Sequence, residues 1–123
     1  MSEELAKLPP QVQERLLRLQ QLQQTLQSVL AQKQQVELEL TEIEQALSEL
    51  QKVADEAVIY KAIGSLLVKT DKAKVTADLN ERKELLNMRA SVLGKQEERL
   101  RSQMKELQAK LQQDLAPVSS TQP

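Results

Sequence analysis

The chain has no cysteine, histidine, tryptophan or phenylalanine, and its one aromatic residue is Tyr60. Without cysteine there are no disulfides, zinc ribbons, iron–sulfur clusters or thiol nucleophiles. Without histidine the commonest metal ligand and neutral-pH general base are missing. The two glycines cannot furnish a phosphate-cradling loop, and neither G-x-x-x-x-G-K-[ST] nor G-x-G-x-x-G occurs. No nucleophile–base constellation exists, so no enzyme activity is expected, and no cofactor or metal. A net charge of −1, from 17 basic and 18 acidic residues, leaves no electrostatic footprint for nucleic acid. No apolar run reaches the roughly 18 residues of a membrane span. The acidic start Met1-Ser2-Glu3-Glu4 does not resemble a signal peptide, so the expected compartment is the cytoplasm.

What is present reads as long helix. Of the 123 residues, 22 are leucine and 18 glutamine, and Glu, Lys, Ala and Arg supply much of the rest. All are strong helix formers that lose little rotamer freedom in a helix. A single domain is expected in four stretches: a helix over 9–53, a β-hairpin over 57–70, a second helix over 71–115 and a disordered tail over 116–123. Pro9-Pro10 suits the first helical turn, where a missing N–H costs nothing. Asp71 suits the N-cap of the second helix.

Both helices carry a 3-4 apolar alternation, the coiled-coil period. The first seam runs Leu5, Leu8, Val12, Arg15, Leu19, Leu22, Leu26, Val29, Lys33, Val36, Leu40, Ile43, Leu47, Leu50. The second runs Leu79, Lys83, Leu86, Ala90, Leu93, Glu97, Leu100, Met104, Leu107, Leu111, Asp114. Matched lengths predict a mainly α fold, a long antiparallel coiled-coil hairpin with the β-hairpin at its bend. Placing Leu50 opposite Leu79 sets Ile43 by Leu86, Val36 by Leu93 and Val29 by Leu100. The same register sets Lys33 opposite Glu97 and Arg15 opposite Asp114, two opposite-charge pairs that disfavour slipped pairings. Lys83 faces Leu47, with its ammonium reaching the rim.

Residues 57–70 concentrate the β-branched side chains, and Gly64-Ser65 suits a type II′ turn. Ile59, Lys61, Ile63, Leu66, Val68 and Thr70 fall on one face, and Val58, Tyr60, Ala62, Leu67 and Lys69 on the other. A lone two-stranded hairpin is marginal in water, and its outer edges carry unpaired backbone groups. Strand partners from other chains are therefore expected, closing an intersubunit β-barrel through Val58, Ile59, Tyr60, Ile63, Leu66, Leu67 and Val68. Tyr60 reads as an interface tyrosine rather than a catalytic one. Glu97-Glu98 reads as solvating charge rather than acid–base machinery. The Gln20–Gln35 stretch reads as a polar helix face rather than a prion-like tract, because seam leucines interrupt it.

Leu16 and Leu17 lie off the seam beside Val12 and Leu19, near the free end of the first helix. Leu111, Leu115 and Val118 lie near the matching end of the second. Exposed apolar surface at an open end marks an interaction site; frayed ends with incidental leucines are the alternative.

These residues carry a family resemblance. Pro9-Pro10-Gln11-Val12-Gln13 opening a long helix, the hairpin from Val58 to Lys69 and the following Leu79-Asn80-Glu81-Arg82-Lys83-Glu84 resemble the beta subunits of archaeal prefoldin. The likeness covers roughly residues 9–115, and one hairpin rather than two implies the beta type. It implies a hexamer of two alpha-type and four beta subunits, with a double β-barrel body and six coiled coils. It implies an ATP-independent holdase that captures unfolded client proteins and passes them to a group II chaperonin. Carried over, client binding falls on the helix ends, including Leu8, Val12, Leu16, Leu17, Leu111 and Leu115. The competing expectation is a structural coiled coil whose ends bind one folded partner.

Overall fold

The first helix starts where proline allows it. Pro10 takes the first helical position, and the carbonyl of Pro9 accepts from the N–H groups of Val12 and Gln13 at 3.0 Å each. The Gln13 side-chain amide donates to the Leu8 carbonyl at 2.7 Å and ties the entering chain down. In the computed structural model, which describes residues 7–116, this helix, α1, runs Pro10–Gln51. Lys52 and Val53 then bond back three residues, to Glu49 and Leu50, tightening the last turn. Strands β1 (Ile59–Ile63) and β2 (Leu66–Thr70) follow, and α2 spans Lys72–Leu115. Asp71 caps α2, its carboxylate accepting from the Lys74 N–H at 2.8 Å. Among the described residues the sheet has two strands, antiparallel, with Tyr60 paired to Lys69, Lys61 to Val68 and Ala62 to Leu67. Gly64 sits at φ +57°, and among the described residues no non-glycine residue has positive φ. A type I′ turn would need positive φ at Ser65 as well, so the turn is type II′.

The chain divides into two compact units, and both helices contribute to each. The first joins the residues up to Ala31 with those from Leu93 onward. Its buried side chains are Val12, Leu22, Leu26 and Val29 on α1 and Leu93 and Leu111 on α2, all seam positions. The helices lie antiparallel here: Arg15 bonds Asp114, and Leu22 shares a groove with Leu107.

The second unit is Gln32–Val92 and holds the β-hairpin. Its buried core is Val36 and Ile43 from α1 and Leu86 from α2. Arg82 reaches Glu39 at 3.1 Å and Arg89 reaches Gln32 at 3.5 Å. Both pairs step by seven residues in opposite chain directions, as an antiparallel heptad pairing requires. Lys83 reaches Glu44 at 4.0 Å, so the seam lysine expected to snorkel finds a carboxylate at the rim.

Candidate functional site

The α1 start and the α2 end meet in the first unit. Their innermost layer is seam. Val12 and Leu111 are 3% and 5% exposed, and beside them the Arg15 guanidinium pairs with the Asp114 carboxylate. Of the six apolar end residues, Val12 and Leu111 are covered in the single chain. Val12 and Leu111 point into the helix pair and hold it shut, because a 3-4 seam continues to its last layer. Leu17 and Leu115 are the open ones, at 57% and 55%, while Leu8 and Leu16 are half-buried. Leu16 and Leu17 line a shallow groove of about 450 Å³ with Pro10, Gln13, Glu14 and Gln20. Glu14 is the one charged group on that lining, so the groove offers hydrocarbon and amides rather than a charge code. Leu5, Val118 and most of the tail lie outside the described residues.

The second cluster is the hairpin. Val58, Tyr60, Ile63, Leu66, Leu67 and Val68 are all exposed, and Ile59 is half-buried. Strand alternation puts Ile63, Leu66 and Val68 on one face and Val58, Tyr60 and Leu67 on the other. Both faces of one two-stranded ribbon therefore present hydrocarbon to water, a surface of the kind that marks protein contact. Two lysines that sequence reasoning passed over brace this region. Lys61 on β1 stands 3.8 Å from Asp78 on α2. Lys72 donates to the Val53 carbonyl at 2.8 Å and lies 3.4 Å from Asp55. It thereby satisfies a carbonyl just past the end of α1, where no glycine supplies a C-cap. The lysine at the first position of α2 was the available signal, but its target depended on how the chain turned.

Lys33 and Glu97 are both half-buried, and Glu97 accepts from the Arg101 guanidinium one turn on at 2.9 Å. Among the described residues no group of three or more possible ligands could hold a metal, and no helix is long and apolar enough to cross a membrane.

Paired helices with heptad cores and a strand hairpin apolar on both faces define a coiled-coil chain with exposed apolar surface. The family model described as "Prefoldin subunit" matches residues 13–117. A prefoldin subunit beta from Archaeoglobus fulgidus is 51% identical over 113 residues, covering 92% of this chain and 97% of that one. One from Thermococcus onnurineus is 49% identical, covering 91% and 97%. The crystal structure of the prefoldin beta subunit from Thermococcus strain KS-1 superposes with a TM-score of 0.83 at 48% identity, covering 90% of this chain and 97% of that chain. The chain belongs to the prefoldin family, a family of chaperones, and is of the beta type.

Proposed function

We propose that this chain is a non-enzymatic holdase subunit that captures non-native polypeptides at the free ends of its helices and hands them to a group II chaperonin in the cytoplasm. It works in a hexamer with two alpha-type subunits and four of the beta type, closed through the hairpins into β-barrels. The carrying observation is the exposure of Leu17 and Leu115 on helices whose seam leucines are buried or half-buried. Burying one such leucine contributes about 2 kcal/mol, too little to hold a chain alone. Several arms acting on one client raise the effective concentration of each patch at its site, so the sum binds while each contact releases readily. Such release without a fuel fits a chain that has no phosphate-binding motif.

The hairpin's part follows from its two open faces. A barrel formed across chains would cover both edges and the inward face at once, which the two described strands of one chain cannot do.

The test is truncation within the assembled complex. Removing the segments before Leu19 and after Leu107 should leave a particle of unchanged stoichiometry that no longer prevents aggregation of several unrelated denatured proteins. The milder pair Leu17→Ser and Leu115→Ser spares the Val12, Leu111 and Arg15–Asp114 layer and should weaken protection without altering assembly. Full protection by the truncated particle would place client binding elsewhere. Protection of one protein alone would favour a scaffold with a single folded partner.

A further inference from the structure

We infer that Leu85, Met88 and Val92 form a second contact for non-native polypeptide, on the α2 face within the unit that carries the hairpin. This rests on the holdase reading above and adds a site to it. The three residues stand three and four apart, so they are neighbours on one helix face. They lie off the seam, and all are open: 54%, 64% and 54% exposed, beside a buried Leu86. Leu85 also belongs to the wall of a groove of about 460 Å³ whose apolar lining is completed by Val36 and Leu86. The groove's rim is Arg82 on Glu39 and Arg89 toward Gln32. The stripe thus borders a shallow groove whose floor, Val36 and Leu86, is buried, so the open apolar surface is that of the three side chains themselves.

Size and chemistry select the occupant. Three half-open side chains offer on the order of 300 Å², against the roughly 800 Å² per partner of a stable interface. A permanent subunit contact would need far more, and the hairpin already supplies the surface suited to that. A weak, transient contact is what the stripe can sustain. Met88 sits at its centre, and an unbranched, polarisable thioether adapts to occupants of different shape. Helical spacing puts charges of both signs beside the stripe, Glu81 four residues before Leu85, Glu84 four before Met88 and Arg89 four after Leu85, so neither acidic nor basic segments are rejected. A loosely specified apolar segment of an unfolded chain satisfies each of these conditions.

The full-length assembled complex serves as the test. Leu85→Gln, Met88→Gln and Val92→Gln together keep strong helix formers at solvent-facing positions, so far-UV ellipticity and hexamer mass should not change. The concentration giving half-protection of two unrelated denatured proteins should rise about fivefold. In a separate variant, a photo-crosslinking side chain in place of Met88 should label the denatured client and not its native form. Unchanged protection by the triple variant would overturn the inference, as would label confined to another subunit of the complex. If the unaltered complex protected no client, the holdase reading itself would fall and this site with it. If it protected and the triple variant matched it, only this site would fall.

Discussion

Replacing Leu67 and Val68 together with aspartate should abolish assembly while leaving the single chain folded. The two residues are 71% and 44% exposed in the chain by itself, and their strand partners are Ala62 and Lys61, so they occupy opposite faces of the ribbon. In the isolated chain the introduced carboxylates stay in water. Lost strand propensity then costs about 1 kcal/mol at most per site. The carboxylate at 68 lies across from the Lys61 ammonium, and such a cross-strand pair returns about 0.2–1 kcal/mol. A closed barrel removes that water from at least one face. Burying a carboxylate costs several kcal/mol; at about 3 kcal/mol, one buried carboxylate would weaken association on the order of 10²-fold, and burial of both would raise this to roughly 10⁴-fold. Native mass spectrometry with an alpha-type partner reads assembly, and far-UV circular dichroism reads the helices. Helicity should persist because the heptad seam pairs the helices without help from the hairpin. A double variant that assembles at the wild-type concentration would refute burial of the hairpin faces between chains. Loss of helicity in the variant would refute the separation of seam from hairpin.

Two further outcomes follow from the local geometry. Asp71→Ala removes the carboxylate that caps α2 and should lower stability by about 0.5–2 kcal/mol, read by thermal melting, with Asp71→Asn recovering most of the loss. A double-mutant cycle on Arg15→Ala and Asp114→Ala should give a favourable coupling of about 1 kcal/mol, because both side chains are only 24% and 21% exposed; high salt should shrink it only partly, unlike a fully exposed pair.

Much of this molecule is legible in one dimension. A heptad requires nothing but spacing to say which side of a helix faces its partner, and Leu22, Leu26, Ile43 and Leu86, named from spacing, are buried. Asp71 and Pro10 announce helix starts because capping is a property of one turn of backbone. Gly64-Ser65 names its turn because positive φ is affordable there at glycine. Arg15 and Asp114 follow from register alone, since a matched seam makes paired positions count down together along the two helices.

What the tertiary structure decided is everything that depends on a long side chain's reach or on how far shielding extends. The period puts Val12 on the seam and Leu17 off it, but that the seam is still covered at this layer, leaving Val12 only 3% exposed, depends on how far the facing helix reaches. Lys83 was expected at the rim, but its choice of Glu44 needed the other helix in place. Lys72 could not be assigned to the Val53 carbonyl before the chain between α1 and β1 had a course. Leu85, Met88 and Val92 lie off the seam, but their 54–64% exposure depends on what their own unit folds over them. Spacing along a helix sets direction; burial is set by what stands opposite, and that is a property of the folded chain.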